Sequence, residues 1–183
     1  MTGAEEIFTM GTAAKGLGIA RMQHIVLWVS NVERSVRFYC DVLGLEVSRQ
    51  RPGAAFLKIP GNPDDHDLGL FEQPGALPPD ERVARIYHSA WEVADLRDLA
   101  RAQQRLMEVG ALVGSSNHGT SLSLYAKDPD GLEFEVFWTV PGGVSGRRTA
   151  LDIDAEMSKR GITPSKARSN LRLTSEQFRP GRA

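Results

Sequence analysis

The stretch HGTSLSLYAKDPDGLEFEVFW, residues 118–138, predicts two strands joined by a tight turn. Residues 121–125 have β character, and residues 128–131 (DPDG) form the turn, because proline fixes φ and glycine readily adopts positive φ. Residues 132–138 alternate with a period of two, so Glu135 lies in the middle of an apolar strand. A carboxylate there costs free energy unless it is exposed, paired or bound to a metal.

The pattern of elements to which this hairpin belongs occurs twice in the chain. Each repeat starts with a strand, continues with a capped amphipathic helix that ends near a glycine, and finishes with three more strands. The first repeat has strands at residues 22–29, 45–49, 55–59 and 67–71, with Ser30 or Asn31 as cap and Gly44 as helix end. The second has strands at residues 86–93, 112–114, 121–125 and 132–138, with Asp95 as cap and Gly110 as helix end.

The repeat predicts an α+β fold in which two βαβββ modules pair into a curved, cleft-forming mixed sheet with the helices outside. We expect a leader over residues 1–21, module 1 over 22–72, a Pro-rich linker over 73–85, module 2 over 86–140 and a C-terminal tail over 141–183. The tail is basic and contains one candidate short helix at residues 151–160. We interpret it as a solvated or subunit-wrapping arm rather than a nucleic-acid site.

The composition argues against several classes of protein. The chain has 183 residues and a formal net charge of −1, so no overall field attracts nucleic acid or a membrane surface. Its one cysteine, Cys40, fits a reducing compartment, and no apolar run approaches the roughly 20 residues that span a bilayer. We therefore expect a cytoplasmic protein.

Three residues at related positions form a candidate metal site. His24 and His88 occupy equivalent places on the first strands of the two modules, and Glu135 lies on the last strand of module 2. Alone, each has a commoner structural interpretation, namely a satisfied histidine or a solvated glutamate. Two imidazoles and one carboxylate on one face are the ligand set of an open, non-haem Fe(II) site, and Mn(II) is the second candidate metal.

At this point the sequence resembles the vicinal oxygen chelate superfamily, which is built from paired βαβββ modules. The residues that carry the resemblance are HIVLWVSNVERSVRFYCDVLGLEV, HSAWEV and DPDGLEFEVF, within residues 22–139. Superfamily members include extradiol ring-cleaving dioxygenases, glyoxalase I, epimerases, fosfomycin-modifying transferases and metal-free proteins that sequester antibiotics. Fold alone does not choose among these chemistries.

Further residues resemble those of extradiol dioxygenases acting on catechols. The position that aligns with the fourth, glutamate ligand of glyoxalase I is Gly69, which cannot ligate through a side chain, and Glu72 is predicted on the opposite face. The resemblance implies that His66 assists the reaction of O₂, and that Tyr125 and His118 orient the substrate and help to transfer protons. It implies a small aromatic diol and O₂ as substrates and a homodimer or higher homo-oligomer as the assembly. A metal-dependent isomerase or lyase and a metal-free drug-binding protein remain as alternatives.

Overall fold

The computed structural model describes residues 19–80, 82–146 and 148–163 of the chain. Most of the predicted leader, and the predicted tail from residue 164 onward, lie outside these residues. The elements in chain order are β1 (Ile25–Val29), α1 (Val32–Leu43), β2 (Glu46–Arg51), β3 (Ala54–Lys58), β4 (Leu68–Glu72), β5 (Ser89–Glu92), α2 (Leu96–Glu108), β6 (Leu112–Asn117), β7 (Ser121–Lys127), β8 (Glu133–Thr139) and α3 (Ile153–Lys159).

The strands form two four-stranded mixed sheets with the same topology. Sheet 1 has the order β1-β4-β3-β2 and sheet 2 has the order β5-β8-β7-β6. In each sheet the first and last strands of the module pair in parallel and the other pairs are antiparallel. The predicted α+β fold of two βαβββ units is confirmed.

Helix termini follow the capping residues in the sequence. The Asn31 side chain accepts a hydrogen bond from the backbone N–H of Arg34 at 2.8 Å, and Gly44 ends α1 with a φ of 69°. Asp95 caps α2 by accepting from the N–H groups of Arg97 and Asp98. These side chains satisfy backbone donors that the first turn of a helix leaves unpaired.

Each sheet packs one face against its helix, and this packing decides which residues point outward. On β1, the residues Ile25, Leu27 and Val29 belong to the core cluster that includes Val32 and Tyr39 of α1. On β8, Phe134 and Val136 belong to the second cluster, with residues of α2. Residues at the alternate positions therefore lie on the outer face of each sheet, away from the helices.

The two modules are joined through the helix side by a set of contacts that we call the inter-module clamp: Ser30, Arg34, Tyr39, Asp128 and Asp130. The buried Tyr39 hydroxyl donates to Asp128 Oδ2 at 3.0 Å. Ser30 Oγ and Arg34 Nη2 each donate to Asp130 Oδ1 at 2.6 Å. The predicted DPDG turn thus also binds module 1.

Burial and hydrogen bonding shift the pKa values of three clamp residues in different directions. Burial raises the pKa of Tyr39 well above its usual value, and the neighbouring Asp128 charge adds to this. Burial also raises the pKa of Asp128, although hydrogen bonds from Leu132, Tyr39 and Asp130 oppose it. Burial alone would raise the pKa of Asp130, but the hydrogen bonds from Ser30 and Arg34 outweigh it and lower the pKa.

The remaining described segments are short. Helix α3 lies within the predicted interval and packs Ile153 and Met157 into the core cluster of module 2. Within the described ranges, no helix is both long and apolar enough to cross a membrane.

Candidate metal centre

The outer face of sheet 2 carries His88 and Glu135 in direct contact. His88 lies immediately before β5, although the predicted strand over residues 86–93 contained it. Glu135 lies near the middle of β8. His88 Nε2 lies 3.1 Å from Glu135 Oε2, and the two side chains are 25% and 13% exposed. The other ring nitrogen, Nδ1 of His88, is buried without a hydrogen-bond partner. One nitrogen and one oxygen donor therefore converge on this face.

Tyr125 and His118 extend the same site. Tyr125 on β7 lies directly opposite Glu135 on β8 in the antiparallel register, and its ring centroid is 5.8 Å from that of His88. The Tyr125 hydroxyl lies 2.9 Å from Nε2 of His118. The structure thus brings four of the six predicted site residues together on one module.

The electrostatics of this pair favour a protonated tyrosine and a neutral histidine. Burial raises the pKa of Tyr125, and the charge of Glu135 raises it further. Burial lowers the pKa of His118, and the positive charge of Arg148 lowers it further, against the opposing charge of Glu135. A neutral imidazole can accept the Tyr125 hydrogen bond at Nε2.

The loop that carries His118 is held by a close backbone crossing. Gly119 has a φ of 81°, and a Cβ atom added there would collide with the carbonyl oxygen of Val144. Its backbone N–H donates to Asn117 Oδ1 at 2.8 Å. A glycine is required because both the conformation and the space exclude a side chain.

The other two predicted site residues, His24 and His66, lie together on the outer face of sheet 1. Their ring centroids are 4.5 Å apart, and His66 also packs edge-on against Phe56 at 4.9 Å. Asp65 accepts from Nδ1 of His66 at 2.8 Å, which orients the ring. His24 precedes β1 by one residue, and its Nδ1 is 2.5 Å from Gln23 Oε1.

Gly69 and Glu72, the two positions that bear on a fourth metal ligand, lie on opposite faces of β4. A Cβ atom at Gly69 would lie 3.2 Å from Val26 Cγ2 and 3.7 Å from Phe71 Cε2, so this position faces the outer side of sheet 1 and is tightly packed. The Glu72 carboxylate accepts from the backbone N–H of Val32 at 2.9 Å. Glu72 therefore caps α1 on the opposite face.

The predicted metal ligands divide into two places. His88 and Glu135 meet on sheet 2, whereas His24 contacts His66 on sheet 1. Among the described residues of a single chain, no group of three or more His, Cys, Asp or Glu side chains is arranged to hold a metal ion.

One charged residue near the site was not predicted from the sequence. Arg148 follows β8 and influences the pKa of both His118 and Tyr125. An isolated bridge brings it there: Asn117 and Thr149 exchange two backbone hydrogen bonds of 3.0 Å. The sequence places residue 148 in the predicted tail, because no local pattern marks a single bridge of this kind.

The two paired βαβββ units, each with a four-stranded mixed sheet of the same topology, define the structural class to which the chain belongs. The family model described as "Glyoxalase/Bleomycin resistance protein/Dioxygenase superfamily" matches residues 21–136. The chain belongs to this superfamily.

Individual relatives agree with this assignment. A catechol-2,3-dioxygenase of Bacillus subtilis is 32% identical over 145 residues, covering 74% of this chain and 50% of that protein. A manganese-dependent 2,3-dihydroxybiphenyl 1,2-dioxygenase of Geobacillus genomosp. 3 is 28% identical, covering 80% of this chain and 46% of that protein. The chain thus spans about half the length of these relatives.

A solved structure shows the same fold. The crystal structure of a glyoxalase/dioxygenase from Nostoc punctiforme superimposes with a TM-score of 0.58 at 26% identity. The match covers 71% of this chain and 97% of that one.

Proposed function

We propose that this protein is a metal-dependent extradiol dioxygenase that opens the ring of a catechol-type substrate with O₂. His24, His88 and Glu135 would hold Fe(II), with Mn(II) as the second candidate. The observation that carries the proposal is the contact between His88 and Glu135 on the face that also presents Tyr125 and His118.

His88 and Glu135 fit a divalent metal. Their donor atoms lie 3.1 Å apart, and both side chains are largely buried. Glu135 projects from β8, and His88 immediately precedes β5, the parallel neighbour of β8. A set of imidazole nitrogen and carboxylate oxygen donors suits Fe(II) and Mn(II), and three protein ligands leave positions for substrate and O₂. A metal bound there would supply Lewis-acid and redox chemistry, favouring the ionised catechol.

The neighbouring residues would handle the substrate protons. His118, neutral because burial lowers its pKa, would accept a proton from a catechol hydroxyl, directly or through Tyr125. Tyr125 remains protonated because burial raises its pKa. While its proton is donated to His118, its oxygen would accept a hydrogen bond from a catechol hydroxyl. The 2.9 Å contact between Tyr125 and His118 keeps donor and acceptor in line.

His66 would act from beside His24, since the centroids of the two rings lie 4.5 Å apart. Asp65 holds its ring through Nδ1, which leaves Nε2 directed away from that contact. An imidazole oriented in this way can stabilise negative charge that develops as O₂ reacts. The exposed carboxylate of Asp65 has a lowered pKa, chiefly because of its hydrogen bond with His66, so it stays ionised as an acceptor.

Gly69 supports the dioxygenase over a four-ligand isomerase. The outer face of sheet 1 has no carboxylate at this position, and the nearby Glu72 is engaged at the start of α1. A site with three protein ligands has room for both catechol oxygens and for O₂, whereas a fourth protein ligand would occupy one of those positions.

The experiment is anaerobic reconstitution of the full chain with Fe(II), and separately with Mn(II), followed by addition of catechols and O₂. The proposal predicts uptake of O₂ together with a yellow ring-opened product. Metal-loaded protein that yields no product with any of several catechols would contradict it and favour the metal-dependent isomerase or lyase. Protein that binds neither metal would favour the metal-free binding protein.

A further inference from the structure

We propose that Arg148 makes this site selective for a catechol that carries a carboxylate substituent on its ring. The inference rests on the proposed function, which supplies the catechol. It adds the charged group that the substrate must carry, and a residue outside the proposed metal ligands that recognises this group.

The backbone register places Arg148 beside His118. Asn117 and Thr149 exchange two backbone hydrogen bonds of 3.0 Å, as the residues of a hydrogen-bonded antiparallel pair do. Continuing this register by one residue brings His118 opposite Arg148. Residues in such a non-hydrogen-bonded position have Cα atoms about 4.5 Å apart and side chains on the same face. Arg148 therefore shares the outer face of sheet 2 with His118.

The segment that carries Arg148 is attached at both ends to the turn over residues 117–120. At its start, the backbone N–H of Val140 donates to a carbonyl oxygen of that turn at 2.8 Å, and the bridge described above closes its other end. Between these points, a Cβ atom added at Gly143 would collide with the backbone of the same turn. The position of Arg148 is therefore set by the turn that carries His118.

The guanidinium of Arg148 has no counter-charge in the parts of the chain that the structure describes. Its side chain is exposed, and within those parts it forms neither an ion pair nor a hydrogen bond. Its charge nevertheless reaches the site. Burial lowers the pKa of His118 and the Arg148 charge adds to this, whereas burial raises the pKa of Tyr125 and the Arg148 charge opposes it. An anionic group of a bound ligand can therefore pair with this cation.

The polar groups of the outer face follow one another in a row that ends at Arg148. Tyr125 lies opposite Glu135 in the strand register, and its hydroxyl lies 2.9 Å from Nε2 of His118. Arg148 comes next, beside His118. A catechol whose hydroxyls approach Tyr125 and the proposed metal ligands would extend its ring towards His118. A substituent on the far side of that ring would meet the guanidinium.

Aromatic rings beside this row suit a planar substrate. The ring centroids of Tyr87 and His88 lie 5.0 Å apart, and those of His88 and Tyr125 lie 5.8 Å apart. Another aromatic ring can pack against such a surface. The planar guanidinium of Arg148 can then form two parallel hydrogen bonds with a carboxylate, a geometry that a hydroxyl or an alkyl substituent cannot reproduce. The rings and the cation together favour an aromatic acid over a neutral catechol.

Equilibrium binding in the absence of O₂ tests the inference separately from turnover. The full chain, with Fe(II) and also without metal, is titrated calorimetrically with two catechol acids, protocatechuate and homoprotocatechuate. Their amides, which are neutral and of nearly the same size, are titrated in parallel. The wild type should bind at least one acid about 10-fold more tightly than its amide, because a hydrogen bond to a charged group is stronger than one to a neutral group. Added salt should reduce this preference.

Variants of two exposed arginines provide the comparison. Arg148→Gln should remove the preference for the acid, and Arg148→Lys should keep part of it, because lysine retains the charge without the planar fork. Arg97→Gln is the matched control: Arg97 is exposed on α2, which packs on the other side of sheet 2, so this variant should keep the wild-type preference. Circular dichroism should show that all three variants fold, because both arginines are exposed.

The outcomes separate this inference from the proposed function. A wild type that binds acid and amide equally, or that binds neither, would overturn the inference, and so would an Arg148→Gln variant that keeps the preference. If the preference depends on Arg148 but no catechol ring opens, the proposed function fails and the site for an aromatic acid stands. If neutral catechols are opened with the same kcat/KM as the acids, the proposed function stands and the inference fails.

Discussion

Tyr125 and Glu135 lie directly opposite each other on β7 and β8, with the Tyr125 hydroxyl 2.9 Å from His118. The turn between the strands sets this register, because each residue of one strand then faces a fixed partner on the other. A candidate metal ligand and a candidate proton-handling pair are therefore positioned by one hairpin. That hairpin is also fastened to module 1 through Asp128 and Asp130.

Tyr125→Phe should slow turnover without loss of metal. The phenylalanine ring keeps the packing against His88, but the hydroxyl that contacts His118 is gone. Loss of one oriented donor at a reacting centre lowers kcat by about 100-fold. Steady-state kinetics alongside metal analysis would check this, and an unchanged kcat would show that the hydroxyl has no role in the reaction.

Glu135→Gln should lose the metal, whereas Glu133→Gln should keep it. Both glutamates lie on β8, but Glu135 contacts His88, while Glu133 pairs with Lys127 in the strand register. Replacing even an outer-sphere partner of a metal ligand weakens binding by about 10- to 100-fold, and loss of a ligand should exceed this. Titration with Fe(II) measures both affinities. Equal affinities in the two variants would remove Glu135 from the ligand set.

His66→Phe should retain metal and lose turnover. A phenylalanine can keep the packing against His24 and Phe56 but cannot stabilise developing charge. We expect a loss in kcat of about 100-fold or more. Asp65→Asn, which keeps the imidazole and weakens only its orientation, should show a smaller loss. Full activity of His66→Phe would show that its assigned role is wrong.

Asp128→Ala should destabilise the protein far more than Asp128→Asn. Asp128 accepts from the backbone N–H groups of Asp130 and Leu132 and from the Tyr39 hydroxyl. Alanine would leave the buried hydroxyl and the two partly buried N–H groups without this acceptor. We expect a loss of about 2–4 kcal/mol in the free energy of unfolding for alanine, and less than about 1 kcal/mol for asparagine, which keeps a side-chain acceptor. Urea denaturation of both variants provides the comparison.

The stability difference between the wild type and Asp128→Asn should depend on pH. Burial raises the folded-state pKa of Asp128, so the folded protein holds this proton more tightly than the unfolded chain. The corresponding stability is fully present below the unfolded carboxyl pKa and is lost as pH rises through the folded one. Wild type should therefore lose stability relative to Asp128→Asn as pH rises above 3.8. The opposite trend would mean that the ionised form is favoured.

Local sequence patterns were sufficient to predict most of the fold. Period-two alternation located β8, and the capping residues Asn31 and Asp95 marked the starts of both helices. The predicted strands that contain His24 and His88 are too long, because apolar residues also precede each observed strand. In the structure, strand pairing begins only after each histidine. Where pairing starts depends on the neighbouring strand, which local sequence does not specify.

Contacts between modules were the part of the site that the sequence could not predict. Tyr39 is a core position by its helical spacing, but its hydrogen bond to Asp128 depends on how two distant segments pack. The separation of His24 from Glu135 within one chain has the same origin, since the repeat indicates equivalent positions without fixing how the modules are oriented. The roles proposed for the six site residues remain predictions.

Ring opening with labelled oxygen tests the central claim most directly. Fe(II)-loaded protein is given a catechol under ¹⁸O₂, and the product is analysed by mass spectrometry. An extradiol dioxygenase transfers both atoms of O₂ to the substrate, so the account predicts a ring-opened product that carries two labelled oxygens, one of which can exchange with water. A metal-loaded protein that leaves the catechol ring intact, or that gives a product without label, would contradict it.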